Sequence, residues 1–117
     1  MNGKPTIVFD FDGVIHSYTS GWKGVEVIPD PPVDGIREVI EKLRKKYRLL
    51  VVSSRCRDAK GRVAIKKWLL QNEIEVDGIT NKKEPAIVYV DDRAVTFNGD
   101  AKKLYEQIKD FKPWHKR

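Results

Sequence analysis

Two short hydrophobic runs in this chain end abruptly on a pair of carboxylates, and that repeated pattern constrains the fold more than any other feature. Thr6-Ile7-Val8-Phe9 runs into Asp10-Phe11-Asp12-Gly13, and Ile87-Val88-Tyr89-Val90 runs into Asp91-Asp92. Four β-branched or aromatic residues in a row read as a buried strand, and the charges mark where each strand reaches the edge of its sheet. A third run, Arg48 to Ser54, is apolar through Leu49-Leu50-Val51-Val52 and closes on Ser53, Ser54 and Arg55.

Helical spacing fills the intervals. Val33, Ile36, Val39, Ile40 and Leu43 recur with charges between them after Pro29-Asp30-Pro31-Pro32, which is the pattern of an amphipathic helix. Val63, Ile65, Trp68, Leu69 and Leu70 mark a second helix beginning after Lys60-Gly61, and a third is expected from Gly99 to Lys109 with Leu104 and Ile108 inward. A short strand is expected at Val76 to Thr80. From Val14 to Ile28 aromatic and β-branched residues flank Ser20-Gly21-Trp22-Lys23-Gly24, whose turn chemistry predicts a β-hairpin flap. Strands alternating with helices imply an α/β fold: a three-layer, Rossmann-like parallel sheet with right-handed crossovers and helices on both faces.

The 117 residues suit one domain with a real core. Lys and Arg number 23 against 17 Asp and Glu, a net charge of +6 that favours anionic partners such as phosphorylated metabolites, nucleotides or nucleic acid. A single cysteine, Cys56, excludes an internal disulfide, and with only His16 and His115 beside it there are too few soft ligands for structural zinc. No apolar run approaches the ~20 residues of a membrane helix, and Asp10 and Asp12 interrupt the only hydrophobic stretch near the start, so no signal peptide is read. The expectation is a soluble protein of the reducing cytoplasm, with no membrane partner.

In a doubly wound sheet ligands sit beyond the carboxyl ends of the strands. There the sequence places Asp10 and Asp12 from one strand, Asp91 and Asp92 from another, and Ser53, Ser54 and Arg55 from a third. Clustered carboxylates repel and raise one another's pKa unless a cation intervenes. All-oxygen ligation without His or Cys points to Mg²⁺.

These residues resemble the motifs of the haloacid dehalogenase (HAD) superfamily, in order and over residues 7 to 92: Asp10-Phe11-Asp12-Gly13-Val14 after a strand, a strand ending in Ser53, Lys83 before Glu84-Pro85, and Asp91-Asp92. The stretches Asp10 to Trp22 and Tyr89 to Phe97 look like a small branch of that superfamily met in phage and bacterial sequences. The resemblance implies a Mg²⁺-dependent phosphatase with Asp10 as nucleophile, forming an aspartyl-phosphate. It implies that Asp12 transfers the protons and lends a backbone carbonyl to the metal. Ser53 or Ser54 would bind the phosphoryl oxygens, with Arg55 either reaching phosphate beside them or pinning the loop; Lys83 or Lys82 would offset charge. Asp92 would ligate the metal directly, and Asp91 directly or through water. The intervals leave no room for a cap domain, so an open site is expected, suited to a nucleic-acid end or other exposed phosphate, or to closure by an oligomeric neighbour. His16, Tyr18, Trp22 and Lys23 of the flap become candidate substrate contacts.

Two rival readings stand beside it. Cys56 to Arg62 has the spacing of a cysteine-dependent phosphatase, but its loop holds Asp58, one Gly, and no Ser or Thr after Arg62, a poor cradle for thiolate and phosphate. A basic, non-catalytic nucleic-acid-binding module on the same fold is compatible with the charge, though the basic residues are dispersed. His115 and the Lys112 to Arg117 segment are expected to be peripheral, with Trp114 alone suggesting docking.

Overall fold

A computed structural model of the chain describes residues 3–116. Its four strands are β1 (Thr6–Asp10), β2 (Arg48–Val52), β3 (Gly78–Thr80) and β4 (Val88–Val90); its helices are α1 (Ile36–Leu43), α2 (Ala59–Gln71) and α3 (Ala101–Lys109). Two 3₁₀ turns, Ser54–Arg57 and Trp114–Lys116, complete the regular structure. The strands form one all-parallel sheet in the order β3-β2-β1-β4. Among the described residues, no helix is long and apolar enough to cross a membrane.

The register explains where the polar strand ends go. Asp10 pairs with Val52 and Phe9 with Val90, so Ser53 and Asp91 each come one residue beyond the last paired position, on either side of β1. From β1 the chain steps outward to β2 and then β3, whereas β4 is laid on the opposite side of β1. The strand order therefore reverses between β1 and β4, which is where an open α/β sheet leaves a crevice for ligands.

The core lies against one face of the sheet. Alternate residues Ile7 and Phe9 of β1 and Leu49 and Val51 of β2 join Ile40 of α1 and Ile65, Trp68 and Leu69 of α2 in one buried cluster with Phe11, Ile15 and Ile74. Burying each such side chain contributes about 1.5–3 kcal/mol. The edge of Trp68 meets Phe11 at 5.2 Å between ring centroids, so the residue between the two aspartates of the first motif is a core anchor. Because α1 and α2 both feed this cluster they lie on the same face, as two right-handed crossovers in the same direction require.

The second helical layer expected on the other face is not evident from burial. Val8 and Leu50, which point that way, are buried, but α3 has no buried residue; Leu104 is half-buried and Ile108, expected inward, is exposed. No helix joins β3 to β4: residues 81–87 make the return as a loop. Three strand spacings amount to about 14 Å, which seven residues of extended chain, reaching up to about 23 Å, can cross while also returning along the strands.

The flap corrects the hairpin expectation. Between residues 14 and 28 there is no strand ladder, only isolated bridges of His16 to Asp12 and to Pro32. Positive φ angles at Tyr18, Gly21 and Gly24 turn the chain repeatedly, so no run of extended residues is long enough to pair. Its order comes from polar anchors instead. Ser20 donates through its backbone N–H and its hydroxyl to Asp30, at 2.8 and 2.6 Å, and Arg55 donates to the carbonyls of Gly24 and Val25 at 2.8 Å each.

Candidate active site

Asp10, Asp91 and Asp92 converge at the carboxyl ends of β1 and β4. Each presents an oxygen within 4.8 Å of the others, a spacing that could hold a metal ion. Burial pushes the Asp10 carboxyl up to about 8, assisted by contact with the Asp92 carboxyl and by the charges of Asp91 and Asp92. Asp92 is almost fully enclosed; its Oδ1 is buried without a hydrogen-bond partner among the described residues. A buried, unpartnered oxygen on Asp92 beside two other carboxylates leaves the group short of positive charge, which a proton on Asp10 supplies in part and a cation could supply in full. The donor set is all oxygen, which fits a hard cation.

Gly13 makes this approach possible. Its φ of +87° belongs to the left-handed region, and a Cβ there would lie 2.2 Å from Asp92 Oδ2. Asp92 thus occupies the space a side chain at position 13 would fill.

Asp12 stands apart from the acidic triad. Its Oδ2 accepts from Arg55 Nε at 2.9 Å, and its Oδ1 accepts from Arg55 Nη2 at 3.1 Å and from His16 Nδ1 at 2.8 Å. Burial works against the charge, but these hydrogen bonds outweigh it and hold the carboxyl below its usual range. The His16 tautomer follows from its surroundings: Nε2 accepts the backbone N–H of Asp30 at 3.1 Å, so the proton sits on Nδ1 and points at Asp12.

The guanidinium of Arg55 is fully buried and committed within the protein. Two of its bonds go to Asp12 and two to the flap carbonyls, while the ring of Trp22 lies 4.6 Å from Cζ. Of the two roles open to it from the sequence, reaching phosphate or pinning a loop, the structure shows the second: it joins Asp12 to the flap. The 3₁₀ turn that carries it follows β2 directly, its start capped by Ser53 Oγ, which accepts the Arg55 N–H at 3.1 Å. Close packing of α2 is secured by Gly61, where a Cβ would meet the Arg55 carbonyl oxygen at 2.1 Å.

Above these groups lies a cleft of about 220 Å³ lined by Asp10, Asp12, Tyr18, Trp22, Ser53, Ser54 and Arg93. Both serines expected at the phosphate therefore face the same space as Asp10 and Asp12. Ser53 is buried and Ser54 exposed, which makes Ser54 the freer hydroxyl. Tyr18 and Trp22 reach the cleft as the flap reading anticipated; His16 cannot, because it is wholly buried among Phe11, Tyr18 and Trp68. Lys23 is exposed and forms no part of the lining. Arg93 is a cleft residue that sequence reasoning passed over. Asp91 Oδ1 accepts its backbone N–H at 2.8 Å, a local turn that an Asp-Asp-Arg sequence allows.

Lys83 is not brought into this group. Its ammonium lies 5.7 Å from the centroid of the Tyr89 ring, whose hydroxyl donates to the Glu84 carbonyl, and no ion pair within 4.0 Å joins it to Asp10, Asp91 or Asp92. Lys82 is held by its backbone N–H to Thr80 Oγ1 at 3.0 Å. Cys56 is half-buried and its thiol is raised by burial, which leaves it protonated and a weak nucleophile.

A larger hollow, about 360 Å³, opens beside β3 between Arg62, Leu70 and Ile79. Its two carboxylates, Glu75 and Asp77, both pair with Arg44, and Asp77 also accepts the Leu49 N–H, so the hollow offers no comparable chemistry.

The segment from 114 to 116, expected to be peripheral, closes the site from the other side. Trp114 Nε1 donates to the Gly13 carbonyl at 2.7 Å, and His115 Nε2 lies 2.8 Å from Asp92 Oδ2. No protein-family model, curated protein or solved structure matches this chain.

Proposed function

We propose that the chain is a metal-dependent phosphatase of the HAD type, acting on phosphate monoesters through Asp10. The observation that carries this reading is the convergence of Asp10, Asp91 and Asp92 at the sheet's topological switch point, with Ser53 and Ser54 lining the cleft that Asp10 also faces. Asp10, Asp91 and Asp92 would hold the cation, Mg²⁺ by the hardness of the donor set. When bound, it supplies charge neutralisation for the phosphoryl group and returns Asp10 to its ionised, nucleophilic form.

Asp10 Oδ attacks phosphorus while the leaving-group oxygen departs, giving an aspartyl-phosphate; water then attacks that phosphorus, releasing phosphate and restoring the carboxylate. Asp12, held as a carboxylate by Arg55 and His16, is suited to take the proton from the attacking water rather than to protonate the leaving oxygen as the resemblance implied; that oxygen draws its proton from solvent in the open cleft. The hydroxyl of Ser54 supplies a neutral donor for phosphoryl oxygens, and Arg93 supplies a cation at the rim. Among the described residues no cap covers the cleft, which suits an exposed phosphate on a nucleotide, a nucleic-acid end or another phosphorylated molecule. The +6 net charge favours all of these.

The test is hydrolysis of an aryl phosphate by wild type, Asp10→Asn and Cys56→Ser, each with Mg²⁺ and with a chelator. Metal-dependent turnover that persists in Cys56→Ser and vanishes in Asp10→Asn is expected. Metal-independent turnover lost with Cys56 would favour thiol chemistry. Salt-sensitive nucleic-acid binding that survives Asp10→Asn, with no turnover in any form, would favour a binding module.

A further inference from the structure

We propose that the Trp114–His115 turn is a positioning clamp for Asp92, fixing the carboxylate so that its unpartnered oxygen faces the metal-binding group. This rests on the metal-binding reading of the acidic triad and goes beyond it, because neither residue belongs to the cleft or to the strands that carry the triad.

The two oxygens of Asp92 have different fates. Oδ2 accepts the His115 Nε2–H at 2.8 Å, with the two side chains 1% and 2% exposed; Oδ1 is buried and has no donor. A carboxylate free to rotate would exchange these positions or turn away from Asp91, whose charge repels it. The imidazole removes that freedom by binding one oxygen and leaving the other for a cation. Carboxylate ligands held in this manner by an outer hydrogen bond bind metal more tightly than unsupported ones.

The clamp is itself anchored. Trp114 Nε1 donates to the carbonyl of Gly13, the residue whose missing Cβ gives Asp92 its room, so Asp92 and the turn are both referenced to position 13. The His115 ring is held edge-on by Tyr18 and Trp114, at 5.6 and 5.5 Å between centroids. Tyr18 also lines the cleft, so the turn touches the flap as well as the metal ligand. Trp114 and Gly13 are 101 residues apart in sequence, and this contact ties that distant segment to the first motif.

The experiment measures Mn²⁺ affinity, as loss of the free-ion electron paramagnetic resonance signal, in the full chain. The variants are His115→Ala, His115→Gln, His115→Asn and Asp10→Asn, with thermal melting in chelator for each. The clamp predicts that His115→Ala weakens Mn²⁺ binding by about 10–100-fold. His115→Gln, whose amide N–H can reach Asp92, should recover most of the loss, and the shorter His115→Asn should not. A merely structural residue would lower the melting temperature alike in all three and leave the affinity of the folded protein unchanged. Binding by His115→Ala within about twofold of a wild type that itself needs Asp10 overturns the clamp while leaving the metal reading intact. A wild type that does not bind Mn²⁺ overturns the metal reading, and the clamp with it. Should His115→Ala fail to fold, His115→Gln binding like wild type while His115→Asn binds weakly supports the clamp, and equal affinities in those two refute it.

Discussion

Replacing Arg55 by Met should destabilise the protein by about 3–5 kcal/mol, the cost of removing one partner of a buried ion pair. Met fills the space of the aliphatic stem, so the loss reports the guanidinium's bonds together with the small void its three terminal atoms leave. Four hydrogen bonds disappear: two to Asp12, and one each to the carbonyls of Gly24 and Val25. Asp12 keeps His16 and is 19% exposed, which places its share toward the lower end. The two flap carbonyls add up to about 1 kcal/mol apiece, because residues 24 and 25 are half-buried and water can partly replace the donor. Loss of the Trp22 contact contributes about 0.5–1 kcal/mol more. Against a total stability of about 5–15 kcal/mol, this is a large fraction. Urea titration followed by circular dichroism measures it, and a cycle with Asp12→Asn isolates the pair; a coupling of about 1–3 kcal/mol is expected. A loss below about 1 kcal/mol, or additivity within about 0.5 kcal/mol, would refute the commitment of Arg55 to Asp12 and the flap and return it to the list of substrate contacts.

Other consequences are equally direct. Gly13→Ala combines a strained φ of +87° with a Cβ driven into Asp92, so it should lower the melting temperature and weaken Mn²⁺ binding together; an unaltered Mn²⁺ titration would contradict the packing. Asp77→Ala leaves the Leu49 N–H without its acceptor and should cost about 1–3 kcal/mol by urea titration. Arg44 holds the Asp77 carboxyl below its ordinary value, so this contribution is complete above about pH 4 and is lost as pH falls through the depressed pKa. The acid limb of a stability profile should therefore be shallower in Asp77→Ala than in wild type. Asp10 has the opposite sign: raised to about 8, it keeps a proton in the folded state that the unfolded chain releases near pH 4, so metal-free stability should fall as pH rises from about 4 to 8. Asp10→Asn should flatten that decline, and Mg²⁺ should offset it in wild type only; parallel profiles for the two proteins would contradict the charge crowding.

The sheet was legible because strand signals are local. Thr6 to Phe9 and Ile87 to Val90 are apolar runs closed by carboxylates, and parallel pairing then forces Asp10 and Asp91 side by side. The flap was not legible as it stands. Gly21 and Gly24 signal turns, but the signal does not distinguish one tight hairpin turn from a series of bends, and Tyr18 at φ 61° is a bend no propensity anticipates. Polar pairing over long range leaves no periodic trace at all: Arg55 and Asp12 lie 43 residues apart, and His115 and Asp92 lie 23 apart. Its place at a strand end left Arg55 open either to phosphate or to pinning the loop, and only its complete burial, which requires an internal partner, decides between them. Ile108 looked inward by spacing, yet α3 meets too little of the protein to cover it. Lys83 fell at the expected place in the order of motifs, but the loop that carries it folds onto Tyr89.

The most direct test of the central claim is to quench the protein during turnover of a phosphate ester with Mg²⁺, reduce it with borohydride, and map the product by mass spectrometry. Borohydride converts an aspartyl-phosphate to homoserine, so homoserine is expected at position 10, in wild type and absent from chelated controls. Phosphate transferred instead to Cys56, or turnover with no modified residue at position 10, would contradict the assignment of Asp10 as the nucleophile.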